Sequence, residues 1–567
     1  MSLFLKTLDK NDRQLFLYYP GEEKRTAFKR CSLTVLMDTV TRGSVEAALR
    51  DWKLQALADE KELVLSFPVP ADGGWNAALA PDRPDDVQAF TVFQDGMAKP
   101  DNEPMKLNAL GIPTLESMMS GWHPMNDTKY VLGIGGGADM ALTLAAVHPE
   151  NIAAVLAVGG TLCPQAFAKA VYAPMPLWLS GSDADTAAYF CRANRAALAA
   201  DTPESRTCEN RQNPLQRVTV RKAAPAVSSA LLKDAWDTLY RPVRRTNTGA
   251  HGDIEPRIPD PQTMMECHVE EMLPDDDNPH TWFLHVPKRV KENPSAKAPL
   301  LMFFHGGSDN PAEAAEMTKF HELGEAEGFI TCYPWGTNRC GWNSSMLPDQ
   351  EDDVAFSARL IEHLIAHYPV DAGRVYLSGF SNGAAQAMSV AMAYPEKIAA
   401  ICPIDSNWPG RRGAYTEINY KDEIPFAVGL ERKKEYDYRM PVWYTYGSRE
   451  PSYPVFRLSS QQHQYDYWKQ YNHIPVKPTP EIGGYNPSGC GVTGDESYTL
   501  TPSARHPHHA YDVQRFYTGD AQRQNLYNYV IMREKGHEVA QMDPALAWAY
   551  VKQYRREPDG SLTVLGK

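Results

Sequence analysis

Residues 133–158 and 379–404 align without a gap, GIGGGADMALTLAAVHPENIAAVLAV against GFSNGAAQAMSVAMAYPEKIAAICPI, and this internal repeat constrains the fold more than any other feature of the chain. The match continues outside that block. Trp75-Asn76 and Asp85-Asp86-Val87 answer Trp342-Asn343 and Asp352-Asp353-Val354 at the same internal spacing, and Met175-Pro-Leu-Trp178 with Gly181-Ser182 answers Met440-Pro-Val-Trp443 with Gly447-Ser448. A repeat of this length means two copies of one domain. At 567 residues the chain exceeds what one core usually serves, so two domains fit its size as well. Both halves alternate apolar strands with helical patterns, which predicts an α/β fold: a mostly parallel sheet with helices on both faces, built twice. We expect a first domain over residues 1–240, a Pro- and Arg-rich linker over 241–262, and a second domain over 263–567.

Within the repeat, Val375-Tyr-Leu-Ser-Gly379-Phe-Ser381-Asn-Gly383 reads as a buried strand running through a glycine-flanked serine into a helix. That helix carries Ala384, Ala387, Met388, Ala391 and Met392 at helical spacing and is ended by Pro395. Gly-x-Ser-x-Gly at such a junction is the pattern of a nucleophile elbow, in which the turn is too tight for a Cβ at the flanking positions. Ser381 is therefore the candidate nucleophile.

Three other elements of the second half suit a serine nucleophile. Leu300-Leu-Met-Phe-Phe304 is an apolar strand ending in His305-Gly306-Gly307, whose backbone N–H groups could face a developing oxyanion. Gly307 is the expected donor, with the N–H of Asn382 as its partner. Pro441 to Tyr446 reads as a strand ending in Gly447-Ser-Arg-Glu450, which makes Glu450 the candidate acid; Asp405, after the apolar Ile401 to Ile404, is the alternative. Tyr529 to Met532 leads to Gly536-His537 and a final amphipathic helix, so His537 is the candidate base. An imidazole must take the serine proton, and a carboxylate must fix its tautomer, before the hydroxyl becomes nucleophilic. Ser381, Glu450 and His537 occur in the Ser, acid, His chain order of the α/β-hydrolase fold.

On the His305-Gly-Gly, Gly341-Trp-Asn343, Asp352-Asp-Val354, Gly379-to-Gly383, Gly447-Ser-x-Glu450 and Gly536-His537 motifs, the second half resembles the polyhydroxybutyrate depolymerase and feruloyl esterase group of α/β-hydrolases. The resemblance implies hydrolysis of carboxylic esters through an acyl-serine, without a cofactor; a cytoplasmic location would favour small or oligosaccharide-linked esters, and the alternatives are a peptidase or amidase using the same triad and a non-catalytic binding or scaffold protein. It departs from the family at Glu450, where Asp is commoner, and over residues 451–524, which read as a long insert rich in Tyr, Pro, Gly and His. His305, Trp342 and Trp335 are candidates for contact with substrate, Trp342 equally for packing its own loop. The first half lacks the chemistry: Gly135 stands at the nucleophile's place, Met37-Asp38-Thr39-Val40 where His305-Gly-Gly would be, and Pro225 at the place of His537.

Composition narrows the partners. A net charge of −13 gives no electrostatic reason to hold nucleic acid, and no apolar run is long enough to span a bilayer. The opening residues lack a secretory pattern, and nine cysteines without paired spacing fit reduced thiols, so a cytoplasmic protein is expected, of unknown oligomeric state. No metal is expected either. His506-Pro-His508-His509 offers imidazoles, but the proline spoils a regular ligand face and the segment reads as polar loop. Asp352 and Asp353 read as a cap and a charge at a helix N-terminus.

Overall fold

The computed structural model describes residues 3–8, 12–20, 29–96, 123–258, 260–307, 309–337, 341–406, 424–450, 459–475 and 493–566. The chain divides into two compact units, Met1–Pro259 and Asp260–Lys567.

In the second unit the strands lie in the order Glu266–Met272, Pro279–His285, Ile330–Pro334, Ala298–Phe304, Val370–Phe380, Ala400–Ile404, Val442–Gly447, Asn525–Met532, Tyr511–Tyr517 and Glu496–Leu500. The six central strands run parallel and the two at each edge are antiparallel. Strand Ala298–Phe304 explains why such a segment reads as unbroken apolar sequence. Its Leu300, Met302 and Phe304 enter one core while Leu301 and Phe303 enter the other, so neither face meets water. Helix Asn382–Ala393 supplies Ala387, Met388 and Ala391 to the first core; helix Asp543–Val551 supplies Ala547, Trp548 and Val551 to the second.

The first unit has a sheet of the same strand order and the same parallel and antiparallel pairings, from Leu3–Thr7 at one edge to Ala197–Asp201 at the other. The protein is thus two tandem α/β domains of one topology, each a mostly parallel sheet with helices, as the repeat predicts. Even the loop hydrogen bonds recur. Trp75 Nε1 donates to Met37 O (2.8 Å) as Trp342 Nε1 donates to His305 O (2.9 Å), and Asp86 accepts from the Asn76 N–H as Asp353 accepts from the Asn343 N–H, both at 2.7 Å.

Three sequence expectations need correction. The 241–262 stretch is no linker: Val243–Arg245 and Ile254–Pro256 pair as a hairpin that closes the first domain, the counterpart of Tyr554–Arg556 with Leu562–Val564. Buried Arg245 ties it down through Ile152 O and Pro174 O, just as Arg556 donates to Ile398 O and Arg439 O in the second domain. Prolines and arginines hide this role because the hairpin strands are only three residues long and polar. As sequence, Ser44 to Lys61 reads as a single helix, but the chain forms two, Arg42–Asp51 and Leu54–Lys61, broken where Lys53 turns left-handed (φ 54°). Lastly, much of 451–524 is not an insert, since helix Ser459–Tyr471 and strands Glu496–Leu500 and Tyr511–Tyr517 have counterparts in Ala184–Ala193, Ala197–Asp201 and Ser205–Glu209. Residues 451–458 and 476–492 of that stretch lie outside the described residues.

Among the described residues no helix is long and apolar enough to cross a membrane. Of the described cysteines, Cys31, Cys332 and Cys402 are buried, Cys163, Cys191 and Cys208 partly buried and Cys267 exposed.

Candidate active site

Strand Val370–Phe380 ends at Ser381, which caps helix Asn382–Ala393 with φ 53° and ψ −117°. A backbone held there costs on the order of 1–3 kcal/mol for a residue with a Cβ. The turn is locked by the Ser381 N–H donating to Ile404 O of the neighbouring strand (3.0 Å) and by helical bonds from Ala384 (3.1 Å) and Ala385 (3.2 Å) to Ser381 O. The flanking glycines are required by contact: a Cβ on Gly379 would meet Gly383 O, and one on Gly383 would meet Phe304 O and His305 O. Close approach of two backbones, strand end against helix start, is what this spacing of glycines permits.

His537 and Glu450 come together as the sequence predicts. The His537 Nδ1–H donates to Glu450 Oε1 at 2.7 Å, which leaves Nε2 as the lone-pair nitrogen. Glu450 is buried, while the imidazole is 44% exposed at the side chain and so open to a substrate. The longer acid therefore reaches the ring directly. The ring packs at 4.7 Å on Phe380, the residue before Ser381, and this contact sets the imidazole beside the elbow. Burial pushes the His537 pKa down, but the Glu450 hydrogen bond and charge, with Asp405 adding to them, leave it raised above the ordinary histidine value.

Asp405, the alternative acid, is engaged elsewhere. Its carboxylate accepts from the Gly447 N–H (2.9 Å) and the Glu538 N–H (3.3 Å) and pairs with Lys535 Nζ (2.9 Å). Lys535 in turn pairs with Asp543 (2.9 Å), and all three side chains are sealed from solvent. Two flanking carboxylates hold the Lys535 ammonium charged despite its burial, and burial itself pushes the Asp405 carboxyl up, with Lys535 opposing. The triad clips the acid loop, through Gly447, to the histidine loop, through Glu538 and Lys535. Lys535 and Asp543 escape a sequence reading because a lone lysine in a loop carries no periodicity or motif.

The expected oxyanion donors lie where the fold makes N–H groups available. Asn382 is the first helical residue, so its N–H has no intrahelical partner, and Gly307 is exposed in the turn after strand Ala298–Phe304. Gly306 beside it has Phe380 Cδ1 only 2.8 Å from where a Cβ would stand, which draws this turn against the elbow. The Asn382 side chain accepts from the Trp342 N–H (2.6 Å) and so fixes the Gly341-Trp-Asn343 loop.

His305 and Trp342, candidates for substrate contact, are placed otherwise. His305 is fully buried, its Nδ1–H donating to Gly306 O (2.7 Å) and its Nε2 accepting from the Gly336 N–H (3.1 Å). Trp342 is buried on Phe304 and bonded to His305 O, so both residues brace the loops rather than face a ligand. Trp335 is partly exposed on the adjoining loop, with its backbone N–H bonded to Thr281 O (2.8 Å). Asp352 caps helix Asp353–His367, as expected, by accepting from the Ala355 N–H (2.9 Å); Asp353 holds the Thr337 and Asn343 backbones as well.

The first domain keeps the elbow without the serine. Gly135 has φ 60° and ψ −128°, and its N–H donates to Val158 O (3.0 Å), the bond Ser381 makes to Ile404. The Asp38 carboxylate fills the space above it: Oδ1 accepts from the Gly136 N–H (2.6 Å), the counterpart of the Asn382 N–H, and Oδ2 stands where a side chain at 135 would begin. Pro225 lies against Gly181 where the Lys535–Gly536 backbone lies against Gly447, so no imidazole replaces His537 there. Placing a serine at 135 therefore gives neither room nor a base. We expect Gly135→Ser in a Ser381→Ala background to remain unlabelled by a fluorophosphonate; labelling of that double variant would show a working second site.

Residues 288–407, which include the His305-Gly-Gly turn, Ser381 and Asp405, match the family model described as esterase PHB depolymerase. The chain is 31% identical over 112 residues to a bifunctional acetylxylan esterase/xylanase of Neocallimastix patriciarum, covering 20% of this chain and 16% of that protein. It is 28% identical over 129 residues to poly(3-hydroxyalkanoate) depolymerase C of Paucimonas lemoignei, covering 22% and 30%. With feruloyl esterase B of Talaromyces funiculosus it shares 26% over 131 residues, covering 22% and 36%. These matches span between 16% and 36% of the relatives' own length.

Proposed function

We propose that the second domain, which over residues 288–407 matches the esterase PHB depolymerase family model, hydrolyses carboxylic esters through an acyl-serine at Ser381. The observation that carries this reading is the 2.7 Å bond from His537 to Glu450, set beside a serine on a strained strand-to-helix turn. In the acylation step the Ser381 oxygen attacks the ester carbonyl carbon as its proton passes to His537 Nε2, and Glu450 steadies the resulting imidazolium. The C–O bond to the alcohol then breaks and the departing alkoxide takes that proton. Water repeats the sequence on the acyl-enzyme and releases the acid.

The N–H groups of Asn382 and Gly307 receive the oxyanion. The first domain supports this assignment from within the same chain, since there a carboxylate oxygen of Asp38 sits at 2.6 Å on the N–H equivalent to that of Asn382. A site shaped to hold one anionic oxygen at that N–H is what a tetrahedral intermediate needs. The substrates we assign are small or oligosaccharide-linked esters of acetate, hydroxycinnamate or hydroxyalkanoate, the acyl classes on which the similar esterases are named.

The test is turnover of a panel of such esters beside matched amides, followed over pH. His537 must be neutral to accept the serine proton, so kcat/KM falls as pH drops through its pKa, about tenfold per unit. Because Glu450 raises that pKa, the acid limb is expected above the ordinary histidine value of about 6.5. A limb in the carboxylate range, near 4, would remove His537 from the role. Faster turnover of the amides would make the enzyme an amidase.

A further inference from the structure

Three sealed charged side chains, Asp405, Lys535 and Asp543, lie behind the acid and histidine loops, and the first domain has none of them at the corresponding places. Asp405 directly follows the aligned repeat, and the residue at its place in the first domain is Gly159; both are left-handed, with φ 49° and 78°. Both also donate their N–H to the neighbouring strand, Asp405 to Thr445 O (2.9 Å) and Gly159 to Ser180 O (2.8 Å). Trp548 stands edge-on to Tyr376 at 5.8 Å as Trp236 does to Tyr130 at 6.0 Å, and in that register Ala223 and Leu231 stand where the second domain has Lys535 and Asp543. Pro225 fills the space instead, its Cβ 2.9 Å from where a Cβ on Gly181 would stand and 3.9 Å from one on Gly159.

One chain thus builds the same junction twice, once with glycine and apolar groups and once with a left-handed aspartate, a buried lysine and a second aspartate. The apolar version is the easier one to fold. Glycine reaches positive φ without the clash that a Cβ brings, and a buried ion network is rarely more stable than well-packed apolar groups of similar volume. The charged version therefore answers to something besides folding. What differs between the two junctions is the residue to be held, since Pro225 stands at the place of His537.

The bonds of this network end on the neighbours of the catalytic pair. Lys535 O accepts from the N–H of Arg449, the residue before Glu450 (2.8 Å), and Asp405 accepts from the N–H of Glu538, the residue after His537 (3.3 Å). Lys535 Nζ joins Asp405 to Asp543, whose carboxylate takes the Ala540 N–H just ahead of helix Asp543–Val551 (2.9 Å). We infer that Lys535 is a positioning residue for the ester reaction, an inference that rests on the acyl-serine mechanism proposed above. Through Asp405 and Asp543 its charge holds the two loops in register, and with them the 2.7 Å bond of His537 to Glu450. A shift of about 1 Å at such a pair is enough to cost on the order of 10²-fold in rate.

The experiment compares two variants of the full chain with the wild type: Lys535→Met, and Lys535→Ala combined with Asp543→Leu. Both keep Ser381, Asp405, Glu450 and His537. The double variant takes the first domain's residues at both positions and removes cation and counter-charge together, so it is expected to melt closer to the wild type than Lys535→Met does. Well below each melting point, kcat on a chromogenic ester is expected to fall about 10- to 100-fold in both variants with KM within about twofold of the wild type. Labelling of Ser381 by a fluorophosphonate is expected to slow by a similar factor. A network that only stabilises the fold would lower the melting point and leave kcat and labelling of the folded protein as they are. That result in either variant overturns the inference, as does a rise in KM at unchanged kcat, or failure of both variants to fold. A wild type that neither turns over esters nor takes the label would instead overturn the acyl-serine reading on which the inference rests.

Discussion

Replacing Ser381 with alanine lowers kcat on a chromogenic ester by about 10³-fold or more and leaves the thermal midpoint nearly where it was. The size follows from what is removed: without Oγ no acyl-enzyme forms, and what remains is the oxyanion N–H groups and substrate binding, a residue of catalysis that is small beside the intact unit. The unchanged stability follows from the turn. Alanine at 381 keeps the same Cβ, so the backbone strain at φ 53° is neither added to nor relieved, and the N–H to Ile404 O that holds the turn is untouched. Measuring kcat and melting together separates the two effects. Most of the activity surviving in folded Ser381→Ala would dismiss the serine mechanism.

What was legible in the sequence was whatever leaves a local signature. Glycines that exclude a Cβ, at 379 and 383, mark a close backbone approach and could be read as such before any coordinates. A strand buried on both faces, Ala298–Phe304, shows as an unbroken apolar run, and the repeat carries both domains at once. Chain order and the loops after two apolar strands bring a carboxylate to His537 in the reading of the sequence, but they admit Asp405 beside Glu450, and the bond to Glu450 is seen only in the structure.

Illegible parts are those fixed by partners distant in sequence. Nothing in Val243–Arg245 tells that its arginine is buried against backbone carbonyls near 152 and 174, and so it reads as linker. His305 has the composition of a site residue; only the Gly336 N–H and the Trp342 ring reveal that it is a brace. Helix Ser459–Tyr471 is hidden for another reason. It buries Tyr465, Tyr467, Trp468 and Tyr471, whose polar atoms make the segment look like surface although large aromatic areas drive it into the core. The fold of 451–524 was mistaken for an insertion on that account.

The sequence left two acids open, and the structure makes opposite predictions for them. Asp405 and Glu450 both lie within 4.8 Å of His537, yet only Glu450 accepts the Nδ1–H. In Glu450→Gln the amide can turn its NH₂ to Nδ1 and favour the tautomer that carries its proton on Nε2, so the base faces the serine already protonated. The expected loss in kcat is about 10⁴-fold, with little change in melting, because the site remains filled by a group of the same shape. Asp405→Asn acts on the other property. It leaves the buried Lys535 with Asp543 as its remaining carboxylate and weakens the clip between the Gly447 and Glu538 backbones. Breaking a buried ion pair costs of order 3–5 kcal/mol, so this variant should melt well below the wild type while retaining far more of its kcat at low temperature. The two measurements thus cross: one variant is stable and inactive, the other active and unstable. If Asp405→Asn proved the stable, inactive one, the acid of the triad would be Asp405, and the 2.7 Å contact of Glu450 would be incidental to the chemistry.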